Sequence, residues 1–314
     1  MNAEEIQRMA DKLRLHVIEM TTAANSGHPG GSLSSADIMA ALYFDVMKHD
    51  PKNPQWEDRD RFVLSKGHVA PVLYAALAES GYFPVEDLIT LRKLGSKLQG
   101  HPVRGKVPGV EMSTGSLGQG LSMSCGIALA GKMDGKDYKT YCLLGDGELQ
   151  SGQNWEAAML ASKYGLKNLI AIVDRNHLQI CGDTEKVMAI DPLAEKWLSF
   201  GWNVIESDGH DVKKVLAAFS DAQSFEEGPT VIIFETVKGK GVSFMENNAG
   251  FHGKACNKEE YEKAVKELKE RKRWDWHSVT ITERHWRNWR RPGRMSSCWM
   301  PTLQVPPRHR SSRR

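Results

Sequence analysis

The sequence feature that most constrains the fold is the stretch from Tyr141 to Leu178. Two apolar runs, 141–144 and 169–173, have the composition of buried strands, and the segment between them is long enough for a helix. This order predicts two parallel strands joined by a helical crossover. Polar residues directly follow each run, so we expect them to meet at the carboxyl edge of the sheet, where parallel α/β sheets bind ligands.

The residues after these two strands suit a hard cation and a phosphate. Asp146 lies between two glycines after the first strand, and Asn176 follows the second. Carboxylate and amide oxygens are ligands that Mg²⁺ accepts, and phosphate and water commonly complete its coordination. Glycine lets a phosphate approach the backbone. A Gly-Asp-Gly tripeptide alone is common, but in this strand context it predicts a metal and diphosphate site.

Histidines on glycine-containing loops are a second candidate for function. His28, His68 and His101 each follow a glycine, and His252 precedes one, in a chain with 11 histidines. Any single loop histidine is more often solvent-exposed than catalytic. Four in this setting favour a ligand that comes close to the backbone. A further glycine-rich segment, 113–120, precedes a small-residue helix and would expose backbone groups to a planar ligand.

The remaining pattern predicts an α/β fold with a doubly wound, mostly parallel sheet and helices on both faces. Hydrophobic spacing predicts a helix over 3–24. Composition predicts helices over 121–130, 152–164, 212–222 and 259–270, and one that follows His68 and runs through Ala78. Further strands are expected over 61–65, 202–205 and 230–235. Ser34 or Ser35 is expected to cap a second helix that runs to Met47.

Composition excludes several classes of protein. Hydrophobic residues make up 40% of the chain and charged residues 26%, as in soluble globular proteins. No apolar run approaches the ~20 residues of a membrane helix, and the polar start is not that of a signal peptide. Five cysteines without metal-type spacing fit reduced thiols. We therefore expect a cytoplasmic protein without a membrane partner.

Six motifs occur along residues 1–270 in an order that resembles the N-terminal domain of transketolase, a thiamine-diphosphate enzyme. They are Ser26-Gly-His28-Pro-Gly, Ser65-Lys-Gly-His68, Gly100-His101-Pro, Thr114-Gly-Ser-Leu-Gly-Gln-Gly120, Gly145-Asp146-Gly147 with Asn176, and His252-Gly253. The resemblance implies that residues 1–270 are a diphosphate-binding domain.

The resemblance also implies roles for individual residues. Asp146, Asn176 and the Leu178 carbonyl would hold Mg²⁺ or Ca²⁺. The thiamine diphosphate would be contacted by the side chains or backbone of His68, Gly115, Leu117, Gly147, Asn176 and His252, with Gly115 and Leu117 against the aminopyrimidine. The catalytic histidines would be His28, His101 and His252, which would bind sugar hydroxyls and move protons, work that suits a group titrating near neutrality.

The reaction that the resemblance implies is transfer of a two-carbon ketol unit from a ketose phosphate to an aldose phosphate. A full transketolase continues into a pyrimidine-binding domain, which supplies the glutamate that activates the aminopyrimidine, and into a third domain. This chain therefore resembles the N-terminal subunit of a split transketolase. It is expected to be active only with a separate C-terminal subunit, in a dimer of heterodimers.

The tail, residues 271–314, differs from the rest of the chain. It holds 12 of the 42 Lys and Arg residues and 2 of the 39 Asp and Glu residues, so residues 1–270 carry a net charge of −7. The tail reads as a disordered basic segment or as an out-of-frame translation. Permissible codons from Thr282 onward, shifted by one base, yield YGTALAELAATGKDVIVLDADLAGATKT, which resembles the start of a partner transketolase subunit.

Three alternatives to the transketolase hypothesis remain open at this point. The chain could be a subunit of another thiamine-diphosphate enzyme, of the deoxyxylulose-phosphate synthase or E1 type, although the four histidines favour transketolase. It could be a nucleic-acid-binding protein that acts through the basic tail, although the acidic body gives no support for such a partner. It could also be a regulatory or vestigial subunit that keeps the fold without turnover.

Overall fold

A five-stranded parallel sheet lies at the centre of the chain in a computed structural model that describes residues 1–270. Its strands are β1 (Arg61–Leu64), β2 (Thr140–Gly145), β3 (Leu169–Arg175), β6 (Asn203–Asp208) and β7 (Thr230–Glu235). They lie in the order β1-β2-β3-β7-β6, and a separate hairpin pairs β4 (Leu178–Gln179) with β5 (Gly182–Asp183). The predicted doubly wound, mostly parallel α/β fold is confirmed.

Helices surround this sheet. They are α1 (Ala3–Ala24), α2 (Pro29–Ser34), α3 (Ala36–Ala41) with a π-helical extension (Leu42–Val46), α4 (Ala70–Glu79), α5 (Gly120–Met133), α6 (Gly152–Lys163), α7 (Thr184–Met188), α8 (Leu193–Ser199), α9 (Val212–Ser224) and α10 (Lys258–Glu270). Within residues 1–270, no helix combines the length and apolar character needed to cross a membrane.

Helix α1 shows how local sequence sets an element. Asn2 and Glu5 form a reciprocal capping box at its start, and Asn25 ends it in the left-handed conformation with φ 49°. Leu13 and Val17, one turn apart, are fully buried. The predicted helix over 3–24 is therefore confirmed, and its end delivers the chain directly into the loop that carries His28.

The crossover between β2 and β3 is held by an aromatic cluster. The rings of Trp197 and Trp202 meet edge to face at 4.8 Å between centroids, and Trp202 Nε1 donates to the Ala158 carbonyl of α6 at 3.0 Å. Both tryptophans are buried. Burying aromatic rings of this size contributes strongly to stability, so α6 is fixed on the sheet and the ends of β2 and β3 are fixed with it.

The predicted helix to Met47 is confirmed in position, because α3 begins at Ala36 with Ser35 at its N-cap position and Asp37 in its first turn, and its π-helical extension ends at Val46. The short helix α2 was not predicted. It begins at Pro29, whose fixed φ and missing N–H suit the first helical position, so His28 directly precedes it. Ser34 and Ser35 form no side-chain cap. Their hydroxyls instead donate to the Gly31 carbonyl and to the buried carboxylate of Asp174. The two interpretations of the 271–314 tail lie outside the described residues.

Candidate active site

The carboxyl ends of β1, β2, β3 and β7 lie on one edge of the sheet because all four strands are parallel. The turns after them carry polar residues that sequence analysis singled out, among them His68 after β1, Asp146 after β2 and Asn176 after β3. The predicted location of the site, at the carboxyl edge, therefore agrees with the topology.

The three predicted metal ligands belong to two connected turns. Asp146 accepts hydrogen bonds from Gly147 N at 2.7 Å and His177 N at 2.6 Å, and Asn176 Oδ1 accepts one from Leu178 N at 3.2 Å. Asp146 is thus joined to the turn that carries Asn176 and the Leu178 carbonyl.

This donor set fits a hard divalent cation because it offers a carboxylate, an amide and a carbonyl oxygen. It is a mixed set, and residues 1–270 contain no cluster of three or more His, Cys, Asp or Glu side chains that could hold a metal. Burial and the neighbouring Asp174 raise the pKa of the Asp146 carboxyl, and a bound cation would oppose both effects. The ligand roles stay a prediction.

Lys238 is a site residue that sequence analysis missed. Its ammonium donates to the Leu178 carbonyl at 2.9 Å and lies 3.0 Å from His252 Nδ1. Burial, with a smaller effect of Lys66, lowers the pKa of Lys238 to about 8. A cation bound to the Leu178 carbonyl would compete with this ammonium for the same oxygen. The signal was present, because Lys238 lies in the turn after the last strand of the sheet.

Four histidines from four separate loops meet in one cluster. The ring centroids of His28 lie 5.2 Å from His68, 5.4 Å from His252 and 6.4 Å from His101, and His68 and His252 stack at 5.2 Å. The structure thus brings together all three histidines with a predicted catalytic role, and adds His68 to the same group.

All four imidazoles have lowered pKa values. Burial, followed by the charge of Arg92, lowers the pKa of His28 to about 4, and burial, followed by Lys238, lowers that of His252 to about 3. The pKa values of His68 and His101 are also lowered, chiefly by burial. The rings are therefore neutral at pH 7, and each can donate one hydrogen bond and accept another.

Two buried polar atoms beside this cluster have no hydrogen-bond partner within residues 1–270. They are Nδ1 of His28 and Oγ1 of Thr114. Leaving such an atom unsatisfied costs about 1–3 kcal/mol. A bound cofactor or sugar would satisfy them, so these orphaned atoms fit the predicted thiamine diphosphate and substrate.

The glycine-rich loop packs tightly against this group. Gly115 has φ +134°, and a Cβ on it would lie 2.5 Å from His101 Cδ2; a Cβ on Gly67 would lie 2.7 Å from Gly115 N. Only glycine allows this approach. Leu117 lies in the same loop and is 44% exposed. Backbone contacts from Gly115 and Leu117 to an aminopyrimidine stay a prediction, as does a diphosphate contact by Gly147.

A buried ion pair between Lys66 and Asp174 lies next to the predicted metal ligand Asn176. The Asp174 carboxylate accepts hydrogen bonds from Lys66, Ser34, Thr236 and, at 3.0 Å, from Asn176 Nδ2. Burial opposes ionisation, but the charge of Lys66 and the hydrogen bonds from Lys66, Ser34 and Thr236 lower the pKa of Asp174 to about 2. Asp174 thereby orients the Asn176 amide, whose oxygen accepts one hydrogen bond from Leu178 N and has a second lone pair for a cation. Sequence analysis gave Asp174 no role.

Arg92 was also missed, and its backbone is held in the left-handed region at φ 58°. Its guanidinium donates to Ser26 Oγ at 3.0 Å, and it fills the space beside Gly100, where a Cβ would lie 2.7 Å from Arg92 Cζ. Its charge lowers the pKa values of both His28 and His101. A single arginine in a basic loop gives no sequence signal that its side chain will lie beside the histidine cluster.

Comparison with known proteins gives a consistent result. Residues 5–297 match the family model described as the transketolase, thiamine diphosphate binding domain. The chain is 44% identical over 271 residues to a named subunit of the apulose-4-phosphate transketolase of Phocaeicola vulgatus, covering 86% of this chain and 96% of the relative. It is 45% identical over 264 residues to the 6-deoxy-6-sulfo-D-fructose transketolase subunit SqwG of a Clostridium species, covering 84% and 96%.

Longer relatives match over part of their length. Human transketolase is 43% identical over 266 residues, which cover 84% of this chain and 42% of the human protein. A solved transketolase variant of Pichia stipitis superposes with a TM-score of 0.81 at 37% identity, and the transketolase of Campylobacter jejuni with 0.80 at 37%. These comparisons cover 85% and 86% of this chain but 41% and 43% of those chains.

Proposed function

The chain belongs to the transketolase family, and from that premise we propose that it is the N-terminal, thiamine-diphosphate-binding subunit of a split transketolase. It spans nearly the full length of relatives that are named as transketolase subunits, and about two-fifths of the single-chain enzymes. In this proposal, a separate C-terminal subunit supplies the pyrimidine-binding domain and the glutamate that activates the aminopyrimidine.

One observation carries the proposal: four neutral imidazoles converge beside the turns that hold the predicted metal ligands. His28, His68, His101 and His252 lie within 6.4 Å of a neighbouring ring. Neutral imidazoles can accept a proton from one hydroxyl while they donate to another group. Such a cluster suits binding of a polyhydroxylated substrate and proton transfer at its carbonyl and hydroxyl oxygens.

The residues of this chain would divide the work as follows. Asp146, Asn176 and the Leu178 carbonyl would hold Mg²⁺ or Ca²⁺ against the diphosphate. When bound, thiamine diphosphate would supply the electron sink for cleavage and formation of the carbon–carbon bond. His28 and His101 would bind sugar hydroxyls and move protons at the oxygens that change charge. His28 and His252 are half-buried, so they would line the wall of the site on the side of this chain.

The substrates that we propose are sugars with a terminal anionic group. The related subunits are named for apulose 4-phosphate and for 6-deoxy-6-sulfo-D-fructose, which differ in sugar and in anion. Because the imidazoles are suited to hydroxyls rather than to a second anion, we place recognition of the phosphate in the partner subunit. A ketose phosphate as donor and an aldose phosphate as acceptor, as in the pentose phosphate pathway, is the version that we propose to test first.

The test is reconstitution with the partner subunit. The chain would be co-expressed with the protein encoded beside it, and ketol transfer from xylulose 5-phosphate to ribose 5-phosphate would be measured with thiamine diphosphate and Mg²⁺. We expect activity from the pair, none from either protein alone, and loss of activity together with weaker Mg²⁺ binding in Asp146→Ala. Activity of the chain alone would contradict the split enzyme, and an active Asp146→Ala pair would contradict the metal site.

The assembly and location follow as part of the same proposal. We propose a dimer of heterodimers, which the mass of the reconstituted complex in solution would test. Cys125, Cys142, Cys181 and Cys256 are free thiols, and free thiols are usual in the reducing cytoplasm. We therefore propose a cytoplasmic location, which fractionation of the native cells would test.

A further inference from the structure

Glu148 is a buried carboxylate beside the site to which the proposed chemistry gives no role. It follows Gly147 in the single helical turn after β2, and it is 4% exposed. A charged group removed from water costs several kcal/mol unless hydrogen bonds replace the lost hydration. The Glu148 carboxylate therefore needs hydrogen-bond donors within the fold.

The hydrogen bonds of Glu148 come from three different segments. Oε1 accepts from the Ser65 hydroxyl, at the end of β1, and from Gly118 N at 2.9 Å, in the glycine-rich loop. Oε2 accepts from Gly145 N at 3.0 Å, at the end of β2. One carboxylate thus joins the ends of two strands to the loop that precedes α5.

The loop packs against His101 and Gly67, but it has a single hydrogen bond to a distant segment of the described chain. Among the described residues, the hydrogen bond from Gly118 N to Glu148 is the only one that joins residues 115–118 to another part of the protein; the other backbone bond made by the loop is local, from Gln119 N to the Ser116 carbonyl. Gly115 and Gly118 both have positive φ, so their own backbone preferences do not hold the loop in place.

We propose that Glu148 is a positioning residue for the cofactor. By accepting the hydrogen bond from Gly118 N, Glu148 fixes the position of the Gly115 and Leu117 backbone, which would contact the aminopyrimidine. This inference rests on the proposed function. The charge is needed as well as the shape, because all three partners are donors. In Glu148→Gln the amide nitrogen would face a donor, and one hydrogen bond to the loop or to a strand end would be lost.

Asp60 offers a matched control at the opposite edge of the sheet. It directly precedes β1, is 3% exposed, and also accepts two backbone hydrogen bonds, from Lys48 N and Lys139 N, each at 2.8 Å. Asp60→Asn removes a buried carboxylate of the same kind without touching the site. Any effect of Glu148→Gln that Asp60→Asn reproduces is therefore structural.

The experiment compares both variants with the wild type in the complex with the partner subunit. It measures the dissociation constant of thiamine diphosphate in the presence of Mg²⁺ by calorimetry, the thermal midpoint, and hydrogen exchange of residues 115–120 without cofactor. We expect both variants to lower the midpoint. Only Glu148→Gln should raise the dissociation constant, by about tenfold or more, since hydrogen bonds to charged groups are the strong ones, and only it should speed exchange in the loop.

The outcomes separate this inference from the proposed function. Wild-type-like cofactor affinity in Glu148→Gln, or equal weakening in Asp60→Asn, would overturn the positioning role alone. A wild-type complex that binds no thiamine diphosphate would overturn the proposed function and this inference with it. If Glu148→Gln does not fold, Ser65→Ala removes a single donor to the same carboxylate; it should weaken binding and speed loop exchange, and an unchanged affinity would again overturn the role.

Discussion

Replacing Asp174 by asparagine should destabilise the chain more than any comparable change on its surface. Asp174 is fully buried and Lys66 is 1% exposed, and the two form an ion pair within the fold. In Asp174→Asn the Lys66 ammonium would remain buried without a counter-charge. Removing one partner of a buried pair costs about 3–5 kcal/mol, a large part of the ~5–15 kcal/mol that a native protein has in total.

Urea unfolding of the cofactor-free chain at pH 7, followed by circular dichroism, measures this loss. For a domain of this size, a loss of about 3–5 kcal/mol corresponds to a fall in the thermal midpoint of about 6–20 °C. Removing both charges, in Lys66→Met with Asp174→Asn, should recover part of the loss, because no uncompensated charge then remains. Glu270→Gln, which breaks the exposed pair with Lys266, is the control and should leave the unfolding free energy nearly unchanged.

A loss below about 1 kcal/mol in Asp174→Asn, as expected for exposed pairs, would refute this reasoning. So would a double variant less stable than Asp174→Asn, because the cost would then come from lost packing and not from the charge. Asp174→Asn should also weaken Mg²⁺ binding, since Asp174 orients the amide of Asn176.

Three further predictions concern the histidine cluster. Arg92→Gln should raise the pKa of His28 above its value of about 4, because a positive charge that disfavours the protonated ring is gone; an unchanged NMR titration would contradict this. Gly115→Ala should weaken thiamine diphosphate binding by about tenfold, given the strain at φ +134° and the clash with His101; calorimetry showing native affinity would exclude it. Lowering the pH from 7 to 5 should destabilise the cofactor-free chain. His28 and His252 have pKa values of about 4 and 3 in the folded chain, so they stay neutral there, whereas in the unfolded chain they bind protons below about pH 6.5. Equal urea midpoints at the two pH values would argue against this prediction.

The parts of this fold that follow from sequence are those whose signal is local. Periodicity predicted α1, and the apolar runs around Leu143 and Ile172 predicted the central strands, because a strand buried on both faces is nearly continuous in apolar residues. The glycine–histidine pairs predicted the cluster around His28, since glycine marks backbone that a ligand or a second loop approaches. Helix α2 was missed because Pro29 and its glycine neighbours are typical of a loop, whereas α3 begins where Ser35 and Asp37 predicted a helix start.

The parts that did not follow from sequence depend on distant partners. Lys66 and Asp174 are 108 residues apart, and nothing in either neighbourhood distinguishes a buried ion pair from two exposed charges. Glu148 stands in a motif that was recognised, yet its role comes from donors on the ends of two other segments. Lys238 could have been found by applying to β7 the rule that located Asp146 after β2.

The histidine cluster has a consequence for the gene that encodes it. Its four rings come from residues 28, 68, 101 and 252, so they span most of the described chain. A break in the coding sequence between codons 28 and 252 would place these imidazoles on different polypeptides. Their spacing would then depend on the association of those polypeptides. A split after codon 252 keeps all four imidazoles on one polypeptide, as the proposed division between N-terminal and C-terminal subunits does.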